Sequence, residues 1–205
     1  MDPIKSRAEK IIQNHVLMSL GIAAIPIPMI DVILIYYVQM DMIRQLCEVY
    51  QKPYYALKGK AYVSALASTS LARLGASLIK AIPGIGSLVG SLSSVVISGA
   101  STYAVGQVTA RFFQDHIEMS DIDMDLAKEL FKEEFEKGKR VAKNLMKEKE
   151  RKKKEMTYEE YARHTAKEKA IYQQLIELKS LRDKEVITEA EYDMMRERYT
   201  DELGL

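Results

Sequence analysis

The stretch "GIAAIPIPMIDVILIYYVQMDM", from Gly21 to Met42, decides how the first half of this chain folds. It is almost wholly apolar, but it contains Pro26 and Pro28 and, shortly after them, Asp31. Proline disfavours a helical residue before it and is accepted in the first turn of a new helix. We therefore expect Pro26 to end one helix and Pro28 to open another. The stretch predicts a proline-tipped helical hairpin, and Asp31 then meets the positive end of the second helix dipole.

A second break of the same kind follows at Pro83-Gly84. The triplet Ala-Ile-Pro occurs at both breaks, 57 residues apart, and a long apolar segment follows each copy. The residues between Tyr55 and Ile82 are rich in Ala and Ser and predict a helix. The N-terminal half is thus expected to contain two helix–proline–helix units, with hairpin tips at Pro26, Pro28, Asp31, Pro83 and Gly84.

The segment after the second break carries small residues at every fourth position. They are Gly86, Gly90, Ser94, Ser98, Thr102 and Gly106. A period of four traces a slowly drifting stripe along one helix face. Such a stripe lets another helix approach closely, as in membrane helix packing. A tightly packed soluble helical hairpin explains the stripe equally well.

The composition of this segment argues against a standard membrane span. A span needs roughly 20 predominantly apolar residues, whereas 12 of the 23 residues from Gly84 to Gly106 are Gly, Ser or Thr. Lys80 also lies close to the second tip, which opposes deep insertion. We expect a shallow or re-entrant contact instead of two spans.

Charge divides the chain sharply. Residues 1–110 hold 14 charged side chains, whereas residues 111–205 hold 45. We therefore expect an apolar helical-hairpin domain over 1–117, a charged helical linker over 118–169, and a small hairpin over 170–205. Ser120 and Asp121 are the predicted caps of the linker helix.

The charged linker contains a basic stretch at 137–154, with 10 Lys or Arg and 2 Glu. Anionic lipid headgroups and nucleic acid phosphates both attract such a helix, and a solvated linker also shows this pattern. No aromatic interleaving or known motif supports nucleic acid as the partner. The candidate lipid or phosphate contacts are Lys147, Lys149, Arg151, Lys152, Lys153 and Lys154.

The C-terminal segment predicts a short helical hairpin. Leucines lie at helical spacing before a turn, and Thr188 with Glu191 forms the T-x-x-E pattern of a capping box. About thirty residues cannot bury much surface alone, so this hairpin is expected to pack against a copy of itself or a partner. The candidate association residues are Leu175, Leu178, Leu181, Ile187, Thr188, Glu191 and Tyr192.

The same segment resembles the bacterial short C-terminal domain known as SHOCT, over about 170–203. The resemblance is carried by Leu181-Arg182-Asp183, Val186-Ile187-Thr188, Glu191 and Tyr192, with Glu185 where the family has its turn glycine. It implies a tethering or oligomerisation element and no catalysis.

Residues 8–113 resemble a helical domain of unknown function found in YcjF-type bacterial proteins, which are associated with Era-like GTPases. The residues that carry this resemblance are Ile12, His15, Pro26-Ile27-Pro28, Asp31, Gln39, Met42, Leu46, Tyr50, Pro83-Gly84, Gly86 and Gly106. It implies a helical accessory that associates with a membrane or a GTPase, without an agreed active site.

Sequence motifs for an enzyme are missing. A phosphate-binding loop needs G-x-x-x-x-G-K-[ST], but the glycines from Gly84 to Gly90 have no such lysine. The single Cys47 and three scattered histidines show no metal-ligand spacing. We therefore expect neither catalysis nor a cofactor or metal.

The sequence favours an all-α, non-enzymatic accessory or scaffold protein on the cytoplasmic side of a membrane. Its partners would be the lipid surface and a second copy or docking protein at the C-terminal hairpin. One alternative is a soluble helical adaptor for a small Era-like GTPase. A third is an adaptor that binds nucleic acid through its basic stretch.

Overall fold

The computed structural model describes residues 2–23, 30–78, 86–155 and 158–202. Within these ranges the chain forms seven helices and no strand, so the all-α prediction is confirmed. The helices are α1 Pro3–Ala23, α2 Ile30–Val49, α3 Ala56–Leu78, α4 Gly86–Gln114, α5 Met124–Glu155, α6 Tyr158–Asp183 and α7 Glu189–Glu202.

The chain divides into two compact units, Met1–Met146 and Lys147–Leu205. The first unit contains α1 to α4 and most of α5, and the second contains the end of α5 with α6 and α7. The predicted domain boundaries near residues 117 and 170 rest on composition and stay predictions.

The first four helices run alternately up and down. Ser19 of α1 bonds Thr102 of α4, and Glu9 bonds Gln107 further along, so α1 and α4 are antiparallel. Gln39 and Tyr50 of α2 bond Ser101 or Thr102 and then Gln114, so α2 and α4 are parallel.

Helix α3 packs against both neighbours. Its Gly59 approaches Met40 of α2, and its Tyr62 accepts a hydrogen bond from Thr109 of α4. The C-terminal ends of α1 and α3 therefore lie at the same end of the bundle as the N-terminal ends of α2 and α4. We call this end, marked by Ala23, Ile30, Leu78 and Gly86, the tip end.

The core of the first unit is aliphatic near the tip end and aromatic near the other. Its largest fully buried side chains are Phe113, Phe131, Ile12, Met42, Ile43, Leu46, Leu66, Val16, Val63, Val105, Val108 and Thr102. Helix α5 supplies Ala127, Phe131 and Phe135 to this core, at the four-residue spacing of one helical face. The charged helix is therefore amphipathic and belongs to the bundle over its first half.

The cap of α5 differs from the prediction. Ser120 and Asp121 precede the helix, but the Asp123 carboxylate accepts hydrogen bonds from the amides of Asp125 and Leu126 at 2.9 and 3.1 Å. Asp123 is therefore the N-cap, and the prediction of Ser120 and Asp121 was wrong. Ser120, Asp121 and Asp123 are all residue types that favour an N-cap, so their types alone did not identify the residue that caps α5.

Three helices end in the Schellman arrangement, with a residue in the left-handed region. The φ angles are 53° at Gln51, 63° at His116 and 57° at Glu185. At each site two amides reach back to carbonyls of the last turn, as in Lys52 to Cys47 at 2.7 Å and Ile117 to Phe112 at 2.9 Å. None of these three positions is a glycine.

The second unit is a hairpin of α6 and α7. Ile171, Leu178 and Tyr192 are buried in it, and the Arg182 guanidinium lies 4.3 Å from the centre of the Tyr192 ring. The capping box is confirmed, because the Thr188 amide donates to Glu191 at 2.8 Å and the Glu191 amide donates to Thr188 Oγ1 at 3.2 Å.

Candidate functional site

Among the described residues, no group of three or more His, Cys, Asp or Glu side chains could hold a metal ion. The features that could carry function are surfaces and buried polar contacts. They are a polar seam between α1, α2 and α4, the uncharged tip end, the basic part of α5 and the C-terminal hairpin.

The polar seam joins the three most closely packed helices. Ser19 Oγ and Thr102 Oγ1 are 2.7 Å apart. The Gln39 side-chain amide donates to Ser101 Oγ and Thr102 Oγ1, each at 3.3 Å. All four side chains are buried, at 8 % exposure or less. Because buried polar groups must be paired, this seam fixes the register of α1, α2 and α4.

A second polar cluster joins α1 to α2. His15 Nδ1 is 2.7 Å from the Ile11 carbonyl, and His15 Nε2 is 3.0 Å from Asp41 Oδ2. The Gln45 side-chain amide donates to the same Asp41 oxygen at 3.0 Å. The Ile11 carbonyl only accepts, so Nδ1 carries a proton. This cluster therefore pairs the histidine of α1 with an acid of α2 inside the first hairpin.

The small-residue stripe of α4 divides between the core and the surface. Thr102 and Gly106 are buried, Ser98 is half-buried and Ser94 is exposed. A Cβ on Gly106 would lie 2.8 Å from Ile12 Cγ1 and 2.9 Å from Met42 Sδ. Gly86 and Gly90 lie in the first turns of α4, and their surroundings are outside the described residues.

Two glycines that the sequence analysis did not single out make helix contacts as close as that of Gly106. A Cβ on Gly138 of α5 would lie 2.8 Å from the Ala100 carbonyl oxygen of α4. A Cβ on Gly99 would lie 2.7 Å from Leu20 Cδ2 of α1. Gly99 falls one residue off the four-residue stripe, and Gly138 stands in a charged segment. Both residues are glycine because a neighbouring helix occupies the space of a side chain.

The tip end of the bundle carries very little charge. No Asp, Glu, Lys or Arg occurs at 11–30, 32–40 or 81–110, and Asp31, Arg73 and Lys80 are the charged residues nearest the tips in sequence. The uncharged part of α1, from Ile11 to Ala23, is about 18 Å long at 1.5 Å per residue. Val16, Ser19 and Leu20 of this stretch are buried inside the bundle.

Most residues of the predicted tips lie outside the part of the chain that the structure describes. Pro26, Pro28, Pro83 and Gly84 lie outside the described residues. Asp31 is the second residue of α2, as predicted for a first-turn acid, but its side chain is not among those described. Over the described ranges, no helix combines the length and apolar character that a membrane crossing needs.

The basic stretch is exposed but partly paired. Lys147, Lys149, Arg151 and Lys152 are all exposed. Lys149 Nζ lies 2.9 Å from Glu168 of α6, and Lys152 Nζ lies 3.7 Å from Glu148. These pairs lower the positive charge that a partner would meet. The side chains of Lys153 and Lys154 are outside the described residues.

The predicted association residues of the C-terminal hairpin divide between its interior and its surface. Leu178 and Tyr192 are buried, Leu175 and Ile187 are half-buried, and Leu181 is 40 % exposed. Val186, Met194 and Met195 are exposed as well, at 65, 66 and 42 %. A short hairpin thus leaves several large apolar side chains in solvent, which is typical of an interaction surface.

The comparisons with known proteins concern mainly the first unit. The family described as Domain of unknown function (DUF697) matches residues 1–140. The "Magnetosome membrane protein 22" of Magnetospirillum gryphiswaldense is 31% identical over 140 residues, which cover 66% of this chain and 72% of that protein. No solved structure matches the chain. The resemblance of residues 170–203 to the SHOCT domain stays a prediction.

Proposed function

Because this chain belongs to the family described as Domain of unknown function (DUF697), and because it is similar to a magnetosome membrane protein, we propose that it is a membrane-associated accessory protein. It acts without catalysis, and it holds partners or copies of itself at a membrane surface. The uncharged tip end of the bundle is the observation that carries this proposal.

The tips supply the lipid contact. The two predicted tips have the sequences "AAIPIPMI" and "AIPGIG", and each is flanked by one charged residue, Asp31 or Lys80. Apolar loops partition into the boundary between headgroups and acyl chains, whereas charged side chains stay at the headgroups. Asp31 and Lys80 therefore limit the depth of insertion. This agrees with the absence of a membrane-crossing helix among the described residues.

The protein faces the cytoplasm. Its basic stretch at 137–154 suits the negative surface potential of a cytoplasmic leaflet. Its cysteine, Cys47, is a buried free thiol, in keeping with a reducing compartment. The exposed lysines of α5 strengthen a contact that the tips begin, and their salt bridges with Glu148 and Glu168 keep that contribution small.

The C-terminal hairpin provides the scaffold function. Its exposed Leu181, Val186 and Met194 form the surface on which a second copy or a partner docks. Burial of apolar surface contributes about 25 cal/mol per Å², so a few such side chains give only a weak contact. This contact forms when several molecules gather on one membrane, because their local concentration is then high.

Fractionation of cells that make the protein tests the membrane contact. We expect it to remain in the membrane fraction in molar salt and to leave with detergent, because salt screens charges but leaves apolar burial intact. Release by salt alone would contradict insertion of the tips. A full-length protein that is monodisperse without detergent or lipid would instead support a soluble adaptor for a GTPase.

A further inference from the structure

The corner between α2 and α3 exposes apolar side chains at the end of the bundle opposite the tips. In residues 52–60, which we call the corner, Tyr54 is 36 %, Tyr55 is 44 % and Leu57 is 81 % exposed. Leu57 is the most exposed large apolar residue among those described. Soluble surfaces carry single exposed leucines, but three adjacent large apolar side chains mark an interaction site.

Basic side chains surround these apolar residues. Lys58 and Lys60 are exposed, Lys52 is half-buried, and the Lys58 ammonium lies 5.2 Å from the centre of the Tyr55 ring. The sequence from Val49 to Gln114 contains no Asp or Glu. Near the corner, Glu48 pairs with Arg44 at 3.4 Å, and the Lys52 ammonium donates to the His116 carbonyl, next to Asp115. Residues 52–60 themselves carry three lysines and no acid, so the corner is positively charged.

The corner is held in place by the fold. Gln51 ends α2 with a φ of 53°, and the Lys52 amide closes the cap on the Cys47 carbonyl at 2.7 Å. The Lys52 ammonium then donates to the His116 carbonyl of the α4 cap at 2.9 Å. Gly59 is buried against Met40, which fixes the first turn of α3. The exposed side chains are thus presented by a preformed surface and need little ordering on binding.

We propose that the corner is a second membrane contact, which recognises the anionic surface of a bilayer. Tyrosine rings and lysines are the side chains that membrane interfaces favour, since their apolar bodies enter the headgroup region while their polar ends stay in water. Exposed lysines are attracted to anionic lipids, and Leu57 inserts between them. The occupant is an anionic lipid surface because the corner places exposed Tyr55 and Leu57 beside exposed lysines and carries no acid of its own.

The position of the corner determines which bilayer it can reach. Helix α1 has 21 residues and is about 30 Å long, and the tips and the corner lie at opposite ends of the bundle. A molecule whose tips lie in one bilayer therefore presents the corner to another. The corner binds anionic lipid by itself, so this inference stands apart from the insertion of the tips.

A fluorescent probe at the corner tests the contact directly. The full-length Cys47→Ala/Leu57→Cys variant is labelled with a polarity-sensitive dye and mixed with vesicles of phosphatidylcholine alone or with phosphatidylglycerol. We expect a blue shift with the anionic vesicles only. The same dye on a Cys47→Ala/Leu126→Cys variant should show no shift, because Leu126 lies on α5 and is also exposed.

Two sets of variants separate the corner from the other lipid contacts. In the Ile27→Glu/Met29→Glu background, which removes the apolar contact of the tips, Lys58→Gln/Lys60→Gln should weaken binding to anionic vesicles roughly 30-fold, because each lysine near the surface contributes about 1 kcal/mol. In the same background, Lys167→Gln/Lys169→Gln on α6 removes the same charge from exposed positions and should leave the affinity unchanged. Ile27→Glu/Met29→Glu at the first tip should abolish binding to neutral vesicles but keep the blue shift at position 57.

Three results would overturn the inference. One is a probe at position 57 that stays in water on anionic vesicles to which the protein is bound. Another is an unchanged affinity for anionic vesicles when Lys58→Gln/Lys60→Gln is added to the Ile27→Glu/Met29→Glu background. The third is a blue shift caused by polyglutamate but not by vesicles, which would make the corner a docking site for an acidic protein.

Discussion

His15 of α1 and Asp41 of α2 form a partly buried pair, with Nε2 3.0 Å from Oδ2 and side-chain exposures of 4% and 15%. The pair bridges the two arms of the first hairpin. Removal of one member of such a pair costs up to about 3 kcal/mol. We therefore expect His15→Gln and Asp41→Asn each to lower the free energy of unfolding by about this amount, as measured by urea denaturation followed by circular dichroism.

A nearby surface pair provides the control for this prediction. Arg44 and Glu48 also lie on α2, 3.4 Å apart, and the Glu48 side chain is 64% exposed. Arg44→Gln should cost about 0.3–0.5 kcal/mol, as exposed i,i+4 pairs do. The double variant of His15 and Asp41 should lose less than the sum of the single variants. Additive losses would show that the two side chains act separately.

The contact of Gly138 with Ala100 predicts how α5 docks on α4. A new Cβ at Gly138 would meet backbone atoms at 2.8 and 3.0 Å, so the helices must move apart. Gly138→Ala should destabilise the protein by about 1–3 kcal/mol despite the higher helix propensity of alanine. Thermal unfolding measures the change.

Gly59 is a matched control for Gly138. A Cβ on Gly59 would meet Met40 Cε at 3.0 Å, which is the flexible end of a side chain. Methionine adapts to such gaps, so Gly59→Ala should be neutral to within about 1 kcal/mol. Equal effects of the two substitutions would contradict the close approach of α5 to α4.

The Cys47 thiol should be unreactive in the folded protein. Burial raises the pKa of the Cys47 thiol to about 12. At pH 8 only about one molecule in ten thousand then carries the thiolate, which is the form that reacts. Reaction with a disulfide reagent should be slow in native buffer and fast in urea. Rapid reaction of the native protein would contradict the burial of this part of α2.

The capping box makes the start of α7 sensitive to acid. Hydrogen bonds from the Thr188 amide and hydroxyl hold the pKa of Glu191 below its usual value. A lowered folded-state pKa stabilises the hairpin above the unfolded pKa, and the effect is lost as pH falls through the folded one. The carboxyl chemical shift of Glu191 should therefore titrate below that of a free glutamate. Thr188→Ala should raise the midpoint, and a midpoint unchanged by this substitution would contradict the capping box.

The sequence predicted the C-terminal capping box well because capping chemistry acts locally. The Thr188–Glu191 box formed as predicted, whereas the breaks expected at Pro26, Pro28 and Pro83 lie outside the described residues and stay predictions. Local rules of this kind need only a few neighbouring residues. The fold class followed from the same signals.

Other features depended on contacts between distant residues and were not predicted. Gln51, His116 and Glu185 adopt the left-handed conformation without being glycine, so nothing in their residue type revealed the Schellman ends. The pairing of His15 with Asp41 and the docking of Gly138 on Ala100 require the packed bundle. Glu185 adopts the left-handed conformation at the position where the SHOCT pattern has glycine, and that resemblance stays a prediction.

The central claim is that the tip end of the bundle holds the protein on a membrane through apolar contact. Flotation with neutral phosphatidylcholine vesicles in molar salt tests this claim most directly, because salt and neutral lipid together suppress the contribution of the lysines. We predict that the wild-type chain and the Leu126→Glu control float with the vesicles, whereas Ile27→Glu/Met29→Glu stays at the bottom of the gradient. A wild-type chain that remains at the bottom, or a tip variant that floats equally well, would contradict the account.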